Sequence, residues 1–227
     1  MFSFDAILKE QLAARPKKTR EVGRYYPSEA GNCVRRSHYS LFEPEEPSPD
    51  LLLIFEMGNV IHEFVSNVLS RSKKVALVGS EERIRIDRDG YFISGRIDDA
   101  VVVNASGEKL IIEVKSCKDL SYVVEPSRAY RLQLQLYLHA LNVRRGFLLY
   151  VEKSTLKSKC FEIVRDEAQI REAFERFDLL HESIRKRLLP PAEARLAAGD
   201  RWQCDFCPYE RQCATAGVAA QTEPTPK

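Results

Sequence analysis

A hairpin pattern over residues 95–115 constrains the fold of this chain more than any other feature. Two apolar, strand-like runs, RIDDAVVV and LIIEVK, flank the polar segment NASG, whose residue types favour a turn. If that segment is the loop of the hairpin, Val103 lies opposite Glu108. Counting back along both strands then brings Asp98 opposite Glu113, close enough for the two side chains to share one ion.

Charged side chains gather at the far end of this hairpin. Residues two apart on a strand share a face, so Glu113 and Lys115 point to the same side. With Asp98 they give two carboxylates and a lysine, a set that suits a bound metal ion with an ammonium group beside it. A hairpin edge decorated with charges gives the same pattern, and the residues leave the two interpretations equally open. The neighbouring Asp99 also leaves open which carboxylate faces the ion.

Length and charge set wider limits. The 227 residues suffice for one full core, and the net charge of +2 gives no overall basicity, so any contact with DNA would come from a local patch. The apolar runs look too short to span a bilayer and the first residues lack a secretory pattern. We therefore expect no membrane association and a cytoplasmic protein, whose six cysteines are metal ligands or buried thiols rather than disulfides.

Apolar periodicity predicts the elements around the hairpin. A helix is expected over about 50–71, followed by several strands up to the hairpin. A second helix, over about 127–142, is apolar on nearly every side and should be buried against the sheet. Two further strands and a long amphipathic helix capped by Asp166 complete the domain. Residues 214–227 hold no aromatic side chain and are expected to be disordered.

The two helices carry candidate site residues. His62 lies beside the apolar stripe of the first helix, one turn after Gly58, where a histidine is more often a core residue than a ligand. Gln133 and Tyr137 are four apart and share one face of the second helix. A buried glutamine needs hydrogen-bond partners, and the charged end of the hairpin could supply them.

The cysteines near the end of the chain form a C-x2-C-x5-C pattern of Cys204, Cys207 and Cys213. Three thiolates need a fourth ligand for zinc or an iron–sulfur cluster, and Cys33 is the other cysteine set in a polar loop. From the thiols alone, zinc is the default. Such a site would join the beginning of the chain to its end and contribute to folding stability. We expect the remaining two to be small buried hydrophobic residues: Cys117 and Cys160.

Taken in order, these residues resemble the motifs of the iron–sulfur nucleases in the RecB-like branch of the PD-(D/E)xK nuclease superfamily. The resemblance covers residues 25–213 and is to the CRISPR-associated exonucleases of the Cas-four family; the nuclease domain of AddB and that of the eukaryotic end-resection helicase–nuclease are similar. The matching positions are Gly58 and His62, Gly95 and Asp98, Glu113 and Lys115, Gln133 and Tyr137, and Cys33 with Cys204, Cys207 and Cys213. One departure is Val34, where the family often has proline.

The resemblance implies an α/β fold with a restriction-endonuclease-like core, in which helices flank a mixed β-sheet. A [4Fe-4S] cluster would clip the N- and C-terminal segments together, which favours iron–sulfur over zinc. Residues 1–213 would form a single nuclease domain. Within it, residues 1–45 and 190–213 would hold the cluster and residues 50–188 would form the catalytic core.

The resemblance also implies a catalytic mechanism. Lys115 would orient or activate the attacking water, while Gln133 and Tyr137 would position the DNA or Lys115. The ion would be Mn²⁺ or Mg²⁺, since carboxylates suit both and an imidazole moves the preference toward Mn²⁺. Its ligands would be His62, Asp98, Glu113 and the carbonyl of Val114.

The implied activity is hydrolysis of phosphodiester bonds in single-stranded DNA or at DNA ends. In CRISPR adaptation this would trim spacer precursors, with the adaptation integrase as a partner. Local phosphate contacts are expected from Arg35, Arg36, Arg128 and Arg131. Three alternatives remain: a stand-alone repair or viral end-resection nuclease, a catalytically silent subunit that binds DNA ends, and a zinc-clipped structural domain.

Overall fold

A computed structural model of the chain describes residues 2–14, 20–219 and 221–222. Six strands form the main sheet: β1 (Arg24–Tyr25), β2 (Val75–Arg88), β3 (Tyr91–Val103), β4 (Lys109–Cys117), β5 (Arg145–Glu152) and β6 (Ser158–Val164). A second sheet pairs β7 (Leu188–Leu189) with β8 (Gln221–Thr222). The helices are α1 (Phe4–Ala13), α2 (Val34–Phe42), α3 (Pro49–Ser70), α4 (Arg128–Ala140), α5 (Glu167–Arg185), α6 (Glu193–Leu196), α7 (Trp202–Asp205) and α8 (Glu210–Thr215).

The main sheet is mixed, as predicted. Within it, β3 pairs with three other strands, β1, β2 and β4. On one edge β3 pairs antiparallel with β2 along its whole length. On the other edge it pairs in parallel with β1 at Phe92 and Ile93, and antiparallel with β4 from Asp99 onward. β4 then pairs in parallel with β5, and β5 pairs antiparallel with β6.

The register of the β3–β4 hairpin is the predicted one. The backbone N–H of Val103 donates to the carbonyl of Glu108 at 2.9 Å, and Asp99 pairs with Ile112. The ladder ends there, one residue before Asp98. Residues 94–98 of β3 therefore lie between the short β1 ladder and the β4 ladder, and the sheet opens where Asp98 stands.

Helices cover both faces of the sheet. On one face, α4 packs Leu134 and Leu138 against Ile97 and Ile111 of the sheet. On the other face, α3 packs against β4 and β5, and Ile61 is one of its side chains in this apolar cluster. Full burial of each such side chain stabilises the fold by about 1.5–3 kcal/mol, so the two helices fix both sides of the hairpin end.

The segment before α2 packs very closely against the N-terminal turn of α4. A Cβ at Gly31 would lie 2.2 Å from the Cα of Ala129, so only glycine fits there. We expect Gly31→Ala to lower stability by about 1–3 kcal/mol through overpacking, and the melting temperature by several degrees. Thermal unfolding measures this. The control is Gly199→Ala, whose added Cβ would meet nothing within 4 Å; equal melting temperatures for the two variants would contradict the close approach.

Four expectations about the chain's organisation need correction. The predicted separate strands before the hairpin form one long strand, β2, with a register shift between Leu77 and Gly79. Residues 1–45 were expected to hold the cluster, but within them α1 packs on α3, and Lys9 Nζ lies 2.8 Å from Asp50 Oδ1. Cys160 is exposed rather than buried, because it lies on the edge strand β6.

The fourth correction concerns the predicted disordered tail. α8 continues to Thr215, the carbonyl of Val218 accepts from the N–H of Ala192, and β8 pairs with β7. Part of this segment therefore has regular structure, while residues 220 and 223–227 lie outside the described ones.

Among the described residues, one helix, α3, is long and apolar enough to cross a membrane, judged by length and composition alone. The expectation that every apolar run is too short is wrong on this point. A single helix of this kind is weak support for membrane insertion. In this fold α3 lies against the sheet and carries His62.

Candidate active site

Asp98 is the carboxylate that stands at the end of the hairpin. Its Oδ2 accepts a hydrogen bond from the backbone N–H of Val114 at 2.8 Å, and its Oδ1 lies 3.3 Å from Nδ1 of His62 on α3. Burial alone would lower the pKa of His62, but the hydrogen bond and charge of Asp98 outweigh it, so the pKa is raised. Asp98 and His62 therefore meet from the sheet and from α3.

Asp99 has a different environment. It is fully buried, and its Oδ1 accepts from the hydroxyl of Ser66 on α3 at 2.7 Å. Burial raises the pKa of Asp99, and hydrogen bonds from Ser66 and Ser80 oppose that rise. Asp99 thus ties β3 to α3, and of the two neighbouring carboxylates Asp98 is the one beside His62.

Glu113 is the most deeply buried carboxylate of the site, with 1% of its surface exposed. Its Oε1 accepts from Lys115 Nζ and from Gln133 Nε2, each at 2.7 Å. Among the described residues its Oε2 has no hydrogen-bond partner. Burial, and then the nearby charge of Asp98, raise the pKa of Glu113 to about 7. A cation at Oε2 would favour the ionised carboxylate, so the site fits a divalent ion.

Lys115 lies on the same face of β4 as Glu113, as the alternation of the strand predicts. Its Nζ donates to Glu113 Oε1 and to Gln133 Oε1 at 3.0 Å, and it lies 4.6 Å from the ring centroid of Tyr130. Burial would lower the pKa of Lys115, but the charge and hydrogen bond of Glu113 outweigh it and the pKa is raised. The side chain is therefore a fixed positive charge at neutral pH.

One face of α4 holds these charged groups in place. Gln133 bridges Glu113 and Lys115, and its Nε2 also lies 3.2 Å from the hydroxyl of Tyr137 one turn later. The predicted shared face is therefore confirmed, and it is turned toward the end of the hairpin. Gly95 lets Tyr137 approach, since a Cβ there would lie 3.4 Å from the tyrosine ring and 2.9 Å from Pro27.

If Asp98 is a metal ligand, its removal should weaken metal binding. We expect Asp98→Ala to reduce the affinity for Mn²⁺ by at least about tenfold, in the range found when metal-site residues are removed. Isothermal titration calorimetry measures this directly. Asp87→Ala is the control, because that carboxylate is exposed on β2 and pairs with Arg85; equal Mn²⁺ affinities for both variants would rule out Asp98 as a ligand.

All four predicted cluster cysteines line one small cavity. Cys33 caps the start of α2, and the other three come from the segment of α7 and α8. Gln203 joins the two segments: its Oε1 accepts from the N–H of Cys33 at 2.9 Å, and its Nε2 donates to the carbonyl of Gly31 at 3.3 Å. The fold therefore brings the early cysteine to the late ones.

The surroundings of this cavity are cationic. Arg35, Arg36 and Arg195 line it, and Arg35 Nη1 lies 3.9 Å from the sulfur of Cys213. Burial raises the pKa of the Cys204 thiol, while the charge of Arg195 lowers it. Within the described part of the chain no three Cys, His, Asp or Glu side chains already form a metal-ligand group. The fit to a cluster therefore rests on four sulfur donors in one cavity beside positive charge.

Arg35 is not available to DNA, so its predicted role as a phosphate contact is wrong. It is 1% exposed, and it donates from Nε to the carbonyl of Pro190 at 2.6 Å and from Nη2 to that of Ala219 at 2.7 Å. Its Nη1 also donates to the carbonyl of Gly217. Arg35 instead holds the C-terminal segment against α2.

The other three arginines that were predicted to contact phosphate lie near cysteine or carboxylate groups of the chain. Arg36 lines the cysteine cavity. Arg128 pairs with Glu172 and lies 3.8 Å from Asp200. Arg131 Nη1 lies 3.9 Å from Glu125, close enough for an ion pair but too far for a hydrogen bond. These three stay predictions, and each already faces other groups of the chain.

Sequence reasoning missed three residues that support these sites. Gln203 links the cysteine segments, and its place beside Cys204 was a usable signal. Glu193 accepts from the N–H of Val34 at 2.8 Å and pairs with Arg176, which no local pattern indicates. Tyr130 lies one turn before Gln133, so the helical period could have placed it beside Lys115.

Comparisons with known proteins identify the family of the chain. The family model of the PD-(D/E)XK nuclease superfamily matches residues 9–214. The chain is similar to the CRISPR-associated exonuclease Cas4 of Saccharolobus solfataricus, with 24% identity over 213 residues that cover 91% of this chain and 95% of that protein.

Solved structures share the fold. SSO0001 superposes with a TM-score of 0.62 and 21% identity, covering 96% of this chain and 98% of its own. The alkaline exonuclease LHK-Exo from Laribacter hongkongensis gives 0.53 and 14%, covering 92% and 100%. The predicted α/β core with a mixed sheet flanked by helices is confirmed, and since the family model spans most of the sequence, the chain belongs to the PD-(D/E)XK nuclease superfamily.

Proposed function

We propose that this nuclease is a metal-dependent exonuclease that hydrolyses phosphodiester bonds in single-stranded DNA or at DNA ends. The observation that carries the proposal is the buried carboxylate Glu113, which has one oxygen held by Lys115 and Gln133 and the other without a partner among the described residues. Asp98 and His62 lie 3.3 Å from each other, and the charges of both act on Glu113. This set of groups suits a divalent cation next to a fixed ammonium.

The divalent ion would be held by oxygen and imidazole donors that the chain brings together. Nucleases of this superfamily use Mg²⁺ or Mn²⁺, and the donors present fit both. When bound, the ion supplies Lewis acidity that withdraws charge from the scissile phosphate and makes water a better nucleophile. The proposed ligands are His62, Asp98, Glu113 and the carbonyl of Val114.

The chain's own groups perform the remaining tasks. Lys115 orients the attacking water and stabilises the negative charge that develops on the phosphate, because its ammonium is held in place before the reaction. Gln133 keeps Lys115 and Glu113 at hydrogen-bond distance from one another. Tyr137 fixes the amide of Gln133 in turn. We assign Gln133 and Tyr137 to positioning rather than to proton transfer.

A [4Fe-4S] cluster bound by Cys33, Cys204, Cys207 and Cys213 is the second part of the proposal. It would hold the start of α2 against the C-terminal segment, alongside the hydrogen bonds of Gln203. The arginines of the cavity would stabilise its negative charge. Four cysteines also suit zinc, so the colour of the protein distinguishes the two metals.

We expect Cys207→Ser to remove the visible absorption of anaerobically purified protein and to lower its melting temperature, because the ligand set and its cross-link are lost. Absorption spectroscopy and thermal unfolding measure both effects. Cys160→Ser is the control, since that thiol is exposed on β6, away from the cavity. A colourless wild-type protein that contains zinc would contradict the iron–sulfur assignment.

The biological setting that we propose is CRISPR adaptation, where the enzyme would trim spacer precursors and work with the adaptation integrase. The similarity to the Saccharolobus Cas4 supports this setting over a stand-alone repair or viral role. Co-purification with the integrase, and trimming of precursor DNA by the pair, test it. A catalytically silent end-binding subunit is disfavoured because every position of the proposed mechanism is filled.

The exonuclease activity is tested with linear and circular single strands of the same sequence. We expect the linear strand, labelled at its 5′ or 3′ end, to be shortened in the presence of Mn²⁺ while the circle persists. The label that is released first gives the polarity. Equal cleavage of circle and linear strand would replace the exonuclease proposal with an endonuclease.

A further inference from the structure

We propose that a large cleft beside Lys115 is a base-stacking subsite, which binds unpaired bases of the substrate strand next to the position of cleavage. The inference rests on the proposed nuclease function, since it specifies how the strand is held at that same site. The cleft is formed by the segment after β4, the first turns of α4 and the residues at the start of α7. Its volume is about 530 Å³, within the roughly 300–1,000 Å³ of typical ligand pockets.

Four aromatic side chains line this cleft. Tyr122 is 85% exposed, Trp202 is 53% exposed and Tyr130 is 37% exposed, while Tyr150 is buried in the wall. Exposed apolar side chains that share one concave surface mark a binding site more often than singly scattered ones do. Every nucleobase has a π-face, so such rings bind single strands with little sequence preference.

Tyr130 connects the cleft to the proposed catalytic centre. Its ring lines the cleft, and the ring centroid lies 4.6 Å from Nζ of Lys115. Tyr150 pairs with Lys115 in the β4–β5 ladder and also lines the cleft. A strand with a base in the cleft would therefore bring an adjacent phosphate close to Lys115.

The charges of the cleft favour bases over phosphates as the bound groups. Its two arginines already face carboxylates: Arg128 lies 3.8 Å from Asp200, and Arg131 lies 3.9 Å from Glu125. Local charge is thus nearly balanced, so the attraction for phosphate is small and stacking must supply most of the affinity. A duplex keeps its bases stacked on one another, so the cleft selects unpaired strands.

The test is binding of a dye-labelled oligothymidylate, followed by fluorescence anisotropy in EDTA so that no cleavage occurs. We expect Tyr122→Ala to weaken binding by about tenfold, in the range of one lost stacking contact, and Tyr122→Phe to bind as the wild type does. Phe4→Ala, which removes an exposed ring of α1, is the matched control and should bind normally. An abasic strand of equal length should bind wild type at least about tenfold more weakly than the thymidylate.

Two results would overturn the inference. One is equal affinity of Tyr122→Ala and Phe4→Ala for the oligothymidylate. The other is equal affinity of the wild type for the abasic and thymidylate strands, which would mean that phosphates alone are bound. Because the assay needs neither metal nor cleavage, its failure is separate from failure of the nuclease proposal.

Discussion

Replacing Lys115 with alanine should reduce DNA cleavage by about 10²- to 10³-fold while leaving Mn²⁺ binding intact. The ammonium is held by Glu113 and Gln133, so in the proposed mechanism it would face the reacting phosphate as a fixed charge, and it is not one of the proposed metal ligands. Its loss removes stabilisation of the transition state rather than of the bound ion. Single-turnover cleavage and calorimetry with Mn²⁺ measure the two properties separately.

Two controls make this result decisive. Lys115→Met keeps most of the side-chain volume and should lose activity to a similar extent, which excludes a cavity as the cause. The melting temperature and the visible absorption of both variants should stay close to those of the wild type. Undiminished cleavage by either variant would remove Lys115 from the mechanism.

Glu113→Gln should lose both cleavage and metal binding. The substitution keeps the shape of the side chain but removes the charge that would bind the cation, which is worth several kcal/mol and so at least about 10²-fold in rate. Lys115→Ala should still bind Mn²⁺, so the contrast between the two variants distinguishes a metal ligand from a residue that stabilises the transition state. Calorimetry and single-turnover cleavage are again the measurements.

The outcome for Glu113→Gln is informative in either direction. If the variant bound Mn²⁺ as tightly as the wild type does, Glu113 would not be a ligand, and the ion would have to lie elsewhere. Gln133 already donates to Oε1 of Glu113, and the new amide retains an oxygen for that bond. We therefore expect the fold to survive, so that loss of activity reports on chemistry.

The arrangement of the hairpin could be predicted from the sequence because a small number of local physical rules determine it. The loop residues set the pairing of Val103 with Glu108, and counting back along the two antiparallel strands then brings Asp98 toward Glu113. A strand period of two places Glu113 and Lys115 on one face. The helical period likewise placed Gln133 and Tyr137 on one face. These are local rules, so the centre of the site followed from short segments.

Features that depend on distant segments were not predictable in this way. Arg35 is flanked by Arg36 in a polar sequence and looks like a solvent-exposed cation, yet carbonyls about 155 to 184 residues further along the chain bury it. The choice between Asp98 and Asp99 depends on where the β3–β4 ladder ends, which pairing of the isolated hairpin does not determine. The regular structure of β8 likewise depends on its pairing with β7, a distant segment.

We propose that the end of the β3–β4 hairpin is a metal-dependent catalytic centre for DNA cleavage. The most direct test is cleavage of a 5′-labelled single strand by wild type and by Lys115→Ala, with Mn²⁺ and with EDTA, using anaerobically purified protein. We expect rapid loss of full-length DNA only for the wild type with Mn²⁺, and almost no loss in the other three reactions. Cleavage in EDTA, or equal cleavage by the two proteins, would contradict it.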